Sequence, residues 1–359
     1  MFFRYKEGLC AHTRNAQAGC NKCIAVCSAQ AIRSEGDFIA VNPHLCAGCG
    51  ACSTVCPSGA LSYDYPSPAQ LGERIKAAIG AHYVACATPP LLVFHAHAGN
   101  SWPPHAIGMA VQSVASVGMD LWFAALAYGA ANVTLLCPAD EGPQNRQMLR
   151  EQVGIAQAIL AGLGYGEAGV RLLEHGFVSS PAQAAVPVRA SFNVAADKRN
   201  TLDMALAHLY QHAPCPQQVT GLPAGSLYGG LALDKAACTL CMSCVGACPA
   251  AALQDGANAP QLRFIEANCV QCGLCVNSCP EDALALVPRM SFGSAVKSAV
   301  VINETTPFCC IRCNKPFGTL KLVETMLAKL GQHSAFSAHP ERLQMCGDCR
   351  VIEMLQSKQ

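Results

Sequence analysis

The sequence predicts an α/β plus α+β chain in which two small cysteine-rich modules flank a parallel-sheet α/β domain and a compact four-cysteine element closes the chain. Three observations predict it. One cysteine unit recurs in four copies, strand and helix patterns alternate only between the second and third copies, and two isolated C-x2-C pairs stand near the C-terminus. At 359 residues, 52% apolar and 13% charged, the chain is long and apolar enough for several cores, which excludes a disordered tail protein. A net charge of +1 with no basic face argues against nucleic acid as a partner.

The repeated unit reads CAGCGACSTVCPSGAL from Cys46, CTLCMSCVGACPAAAL from Cys238 and CVQCGLCVNSCPEDAL from Cys269. A fourth copy, CNKCIAVCSAQAI from Cys20, lacks its first cysteine, because that position is Gln17. Cysteines two residues apart place three thiolates on one tight loop, enough for three corners of an iron–sulfur cubane. In the bacterial ferredoxin arrangement the cysteine before proline serves the other cluster of a pair. Two 2[4Fe–4S] ferredoxin-like modules are therefore expected. Cys46, Cys49 and Cys52 take Cys27; Cys238, Cys241 and Cys244 take Cys279; Cys269, Cys272 and Cys275 take Cys248. Cys20, Cys23 and Cys56 then lack one thiolate, and Cys10 supplies it through a nine-residue loop. A three-cysteine labile cluster or an empty site is the alternative there. Hairpin signals lie between the runs of each pair, at Glu35-Gly36 and at Asp255-Gly256. Zinc has no use for a third cysteine at this spacing.

Twenty-four cysteines in a secreted chain would suggest disulfides, but MFFRYKEGLC has no apolar signal core and no twin arginine, so a cytoplasmic location and metal ligation are expected. Near the C-terminus Cys310 with Cys313 and Cys346 with Cys349 form two knuckles suited to tetrahedral zinc. Asn314 suits the left-handed turn of the first knuckle, and a helix over Arg350–Leu355 follows the second. A zinc-ribbon or treble-clef-like element is expected, with iron as the competing metal. Cys309 is spare.

In the middle of the chain Leu91–Phe94 reads as a buried strand and Asp120 as the N-cap of a helix through Tyr128. A second strand is expected at Asn132–Cys137, a long helix from Pro143 to Gly162–Gly164 and a third strand at Val170–Leu173. The uncharged run Leu121–Cys137 is a buried helix and strand rather than a membrane span. His95, His97 and His105 raise a metal or proton-transfer site against the plainer reading of hydrogen-bonded loop histidines. Cys86 and Cys137 read as small buried apolar residues, and Cys215 as a linker residue. Leu202, Ala205, Leu206 and Leu209 form one stripe of a docking helix. The expected organisation is a first module at 1–68, the α/β domain at 69–195, a linker with this helix at 196–235, a second module at 236–290 and the four-cysteine metal-binding element at 291–359.

Over nearly the whole chain, KRNTLDMALAHL, LPAGSLYG, CTLCMSCVGACPAAAL, FIEANCVQCGLC, CPEDALALVPR and PFCCIRCNKPFG with MCGDCRV resemble a proteobacterial 4Fe-4S binding protein of the polyferredoxin type associated with formate dehydrogenase gene clusters. The section Pro90–Glu174 resembles the delta subunit of methyl-viologen-reducing hydrogenase. That family carries a [2Fe–2S] cluster here; with only Cys86 and Cys137 available, the cluster is not carried over. The resemblance implies electron transfer beside formate oxidation, with a formate dehydrogenase as redox partner. The expectation is an electron carrier with four [4Fe–4S] clusters and one zinc, rather than a catalytic chain. An accessory factor for formate dehydrogenase, or a flavin-containing oxidoreductase subunit, are the alternatives.

Overall fold

Short strands and five-residue helices follow directly from cysteine loops that reverse the chain every few residues, whereas the long helices begin where the cysteines stop. The computed structural model describes residues 2–96, 102–174, 188–257 and 259–356. The chain forms two units. The first comprises Met1–Gly230 with Cys269–Cys272 and Val287–Val296, and the second comprises Leu231–Asn268, Gly273–Leu286 and Lys297–Gln359.

The N-terminal part of the first unit runs β1 (Phe3–Tyr5), β2 (Thr13–Arg14), β3 (Gln17–Ala18), α1 (Lys22–Val26), β4 (Ile32–Glu35), β5 (Phe38–Val41), α2 (Ala51–Val55) and β6 (Leu61–Tyr63). β1 pairs with β6 and β4 with β5, all antiparallel, the latter through Gly36 at φ 64°. β2 and β3 form a second hairpin whose turn residues Asn15 and Ala16 both have positive φ, 51° and 61°, as a type I′ turn requires. A small core of Phe3, Ile32, Ile39, Ala60 and Leu61 gathers among the cysteines.

An α/β portion follows with α3 (Pro68–Ala85), β7 (Leu91–His95), β8 (Ala106–Ala110), α4 (Met119–Ala127), β9 (Asn132–Leu136), α5 (Pro143–Leu163), β10 (Val170–Leu173) and α6 (Lys198–Gln211). Its sheet is ordered β10-β9-β7-β8, and every neighbouring pair is parallel. Read from the other edge, β8-β7-β9-β10 counts along the chain as 2-1-3-4, with the strand order reversing between β7 and β9. β7 is buried at every position, as expected for a strand covered on both faces. Trp122, Phe123, Phe94, Leu149 and Ile159 fill the core.

Two sequence expectations are corrected here. Asp120 is not the N-cap of α4: Gly118 holds that place, and Asp120 lies buried in the first turn. Glycine at the cap leaves room for the Asp120 carboxylate, since a Cβ on Gly118 would lie 2.6 Å from Asp120 Oδ1. Cys86 is exposed rather than buried, because it follows the last turn of α3 instead of sitting in a strand. The run Leu121–Cys137 divides into α4 and β9, and no helix among the described residues is long and apolar enough to cross a membrane. α6 buries Thr201, Leu202, Ala205, Leu206 and Leu209 and packs on α4. β11 (Val219–Gly221) pairs antiparallel with Arg289–Ser291.

After β12 (Gly229–Leu233), the second unit carries α7 (Ser243–Ala247), β13 (Leu253–Asp255), β14 (Gln261–Phe264), α8 (Leu274–Asn277), β15 (Leu284–Ser291, entering from Leu284–Leu286), β16 (Val300–Glu304), β17 (Pro307–Cys309), β18 (Pro316–Thr319), α9 (Leu320–Leu330) and α10 (Gly347–Gln356). β14 is the middle strand of an antiparallel sheet with β13 and β16. Thr319 caps α9 by accepting from Leu322 N–H (3.1 Å), and its hydroxyl donates to Thr239 O (2.9 Å).

Candidate metal centres

The backbone repeats as strictly as the sequence. In each complete run the second residue after the first cysteine and the residue after the second cysteine have positive φ: Gly48 and Gly50, Leu240 and Met242, Gln271 and Gly273. The third residue beyond each closing cysteine does too, at Gln30, Gly59, Ala251 and Asp282. This turn aims a backbone N–H at the closing sulfur. Ala31, Ala252 and Ala283 donate to Cys27, Cys248 and Cys279 Sγ at 3.3 Å, and Leu61 donates to Cys56 Sγ at 3.4 Å. Such N–H···S bonds were not legible in the cysteine spacing, and they stabilise negative charge on the sulfur.

Cys10, Cys20, Cys23 and Cys56 line one cavity of about 340 Å³ with Tyr5, Ile39 and Leu61. The chain closes this set with the β2–β3 hairpin, extended by Gly19 N–H to His12 O and Cys20 N–H to Ala11 O (both 2.8 Å). His12, buried inside the loop, pairs its ring nitrogens with Cys20 O (2.9 Å) and Ser34 Oγ (2.8 Å). A second cavity, about 460 Å³, is lined by Cys27, Cys46, Cys49 and Cys52. In the second unit Cys238, Cys241, Cys244 and Cys279 line a third, about 360 Å³, with Leu240, Leu262 and Leu284. Of the remaining set, Cys248 and Cys275 belong to the second unit and Cys269 and Cys272 to the first. Gln271 Nε2 donates to Cys269 Sγ (3.3 Å) and to Gly230 O (2.9 Å).

The donor sets fit a cationic metal core. Burial, then the neighbouring sulfurs of Cys49, Cys46, Cys27 and Cys56, pushes the Cys52 thiol up to about 12. Burial with Cys241, Cys238 and Cys279 does the same at Cys244, also to about 12, and Cys23 is raised by burial and by Cys56 and Cys20. A bound cation would replace the protons that burial favours on Cys23, Cys52 and Cys244.

Cys310, Cys313, Cys346 and Cys349 offer four sulfurs within 4.8 Å of one another, with Cys313 and Cys346 Sγ 3.7 Å apart. Asn314 is left-handed at φ 58°, and α10 starts between Cys346 and Cys349. Burial alone would raise the Cys310 thiol, but the backbone N–H groups of Cys346, Cys313 and Arg312 bring it down to about 6. The Cys349 thiol is held up to about 12 by its bond to Cys313, by burial and by Cys346. Around these sulfurs the described core cluster adds Met345, with Phe317 packed against it, while Val323 and Leu343 are buried elsewhere in the element.

Among the described residues the singled-out histidines join no group of three or more metal-ligating side chains. His95 is buried beside the Trp102 ring (centroids 5.0 Å apart), His105 accepts through its backbone oxygen from Leu91 N–H (2.9 Å), and His97 lies outside the described residues. Cys137 is buried, while Cys215 and Cys309 are exposed.

Two family models match the chain. One, described as a 4Fe-4S dicluster domain, covers residues 237–284, and the other, a 4Fe-4S binding domain, covers residues 38–61. These are ferredoxin-type iron–sulfur domains. They support an iron–sulfur binding protein with a role in electron transfer. No curated protein matches the chain.

Proposed function

We propose that this chain is an electron-transfer protein carrying four [4Fe–4S] clusters and one zinc ion, with a formate dehydrogenase as its redox partner and the cytoplasm as its location. The observation that carries the reading is the lining of three separate cavities, each by three cysteines of one stretch and the closing cysteine of its sister run. The ligand sets are Cys10, Cys20, Cys23 and Cys56; Cys27, Cys46, Cys49 and Cys52; Cys238, Cys241, Cys244 and Cys279; and Cys248, Cys269, Cys272 and Cys275. Cys310, Cys313, Cys346 and Cys349 hold the zinc. When bound, iron–sulfur clusters accept and release one electron at a time. The protein's part is to exclude water, aim N–H groups at sulfur and set charge around each centre.

The five-segment organisation, with the α/β sheet as a platform between two ferredoxin-like modules, belongs to this proposal, as does the formate dehydrogenase partnership drawn from the resemblance. Anaerobic mixing with purified formate dehydrogenase and formate tests it. Reduction of the visible iron–sulfur absorption, reversed by a mild oxidant, is expected. Reduction by dithionite but never by the dehydrogenase would remove the partner, and no reduction by either would remove the electron-transfer role.

A further inference from the structure

α2 is the covalent link between two of the proposed ligand sets, because Cys52 in its first turn belongs with Cys27 and Cys56 at its C-cap belongs with Cys10. A helix this short leaves its carbonyls without intrahelical partners, and they carry partial negative charge. Lys198, the first residue of α6, reaches them. Its Nζ donates to Ser53 O (3.0 Å), Thr54 O (2.5 Å) and Cys56 O (3.4 Å).

A carboxylate stands behind the ammonium. Asp120 is 4% exposed and is held at the N-terminus of α4 by its own N–H and that of Leu121. A Cβ on Gly118 would lie 2.6 Å from Asp120 Oδ1 and 3.7 Å from Lys198 Nζ, so this glycine leaves open the space beside both charges. Burial lowers the Lys198 pKa and raises that of Asp120, and the attraction between the two charges opposes both shifts. Together the two side chains form a directed dipole with its positive end on the Cys56 turn and its negative end against α4.

We propose that Lys198, its charge partly offset by Asp120, makes the centre at Cys10, Cys20, Cys23 and Cys56 easier to reduce than its sister at Cys27, Cys46, Cys49 and Cys52. The inference rests on the electron-transfer reading above. Reduction adds one negative charge to a centre, and a fixed ammonium in a water-poor setting favours that added charge most at the nearer site. Among the two sites the lysine's hydrogen bonds extend to the backbone oxygen of Cys56, a member of the first. An electron shared between the two centres would then reside on the Cys10 side.

A purely structural lysine that only caps α2 would change stability and leave potentials alone. EPR-monitored redox titration of the full chain, purified anaerobically, separates the two roles. In Lys198→Met the ratio of reduced to oxidised Cys10-set centre at a fixed potential is expected to fall about tenfold, equal to about 59 mV for one electron. Asp120→Asn is expected to move the same signal the opposite way, and Lys198→Arg to restore it. The signal is assigned as the one missing from Cys20→Ser. Unchanged midpoints in Lys198→Met at wild-type iron content, or a shift confined to the Cys27-set centre, would overturn the proposal. If Lys198→Met loses iron, Asp120→Asn decides, and an unmoved midpoint there overturns it. A wild-type chain with no reducible centre would instead overturn the electron-transfer reading itself.

Discussion

Cys10 stands ten residues before the run it joins, and the hairpin that returns it is held by His12 and the Asn15-Ala16 turn. Replacing it removes one of four thiolates from a single cavity and should leave the others intact. Cys10→Ala is expected to lower iron by about four per chain, measured by iron and acid-labile sulfide analysis; an unchanged content would mean that three cysteines suffice. Tyr165 gives a second residue-scale prediction. Its buried hydroxyl donates to Leu209 O (2.8 Å), and burial pushes its pKa up to about 12 from an ordinary value of about 10. A raised phenol contributes stability that is complete below pH ~10 and lost as pH rises through ~12. Tyr165→Phe should cost about 1 kcal/mol at neutral pH and flatten the alkaline loss, as read from far-UV circular dichroism during denaturant unfolding. An equally steep alkaline loss in the variant would contradict this.

Among the elements, the cysteine loops share left-handed positions, and the residues there differ. Gly50 and Gly273 suit them, whereas Met242 occupies the same place at φ 61°. Met242→Gly should stabilise the loop by up to about 1 kcal/mol, since a left-handed conformation costs an L-residue roughly 1–2 kcal/mol. Gly50→Ala should destabilise by at least that much, because its Cβ would fall 2.4 Å from Ser116 Cβ and 2.7 Å from Ser116 Cα. Rates of cluster loss under denaturant compare the two; equal rates would refute the shared strain. Around the four C-terminal sulfurs the apolar lining is Met345 and Phe317, so the proposed metal is expected to hold this part of the element together. Chelation is expected to speed amide exchange across α10 and β17–β18 while β13–β14 keeps its protection. Unchanged exchange in α10 would contradict a structural metal.

Long elements were legible in sequence where hydrophobic period and punctuation agreed. Pro143 opens α5 and Gly164 closes it in the left-handed conformation, and both expected hairpins form, β4–β5 through left-handed Gly36 and β13–β14 beyond Asp255, which itself pairs in β13. Others were not. β8 is AIGMA, too poor in β-branched residues to stand out, and takes its strand form from pairing with β7. α3 was missed although Ser67 and Gln70 make a full capping box. The turn that closes the Cys10 loop was not legible: Asn15 suits its left-handed place, but Ala16 beside it at φ 61° is no turn residue. Lys198 and Asp120 lie far apart in sequence, so only the packing of α6 on α4 brings the charges beside α2.

For the whole molecule, one chain combines a parallel sheet with cysteine sets on both sides of it in sequence, and the cysteines that line one cavity come from distant stretches, such as Cys244 and Cys279. On the proposed reading folding and cluster assembly are coupled, since metal binding would favour deprotonation of thiols such as Cys52 and Cys244, which burial opposes. The most direct test is iron, acid-labile sulfide and zinc analysis of protein purified anaerobically. The account predicts about sixteen iron, about sixteen sulfide and about one zinc per chain. A colourless, iron-free chain with the same far-UV circular dichroism and cooperative unfolding would contradict it.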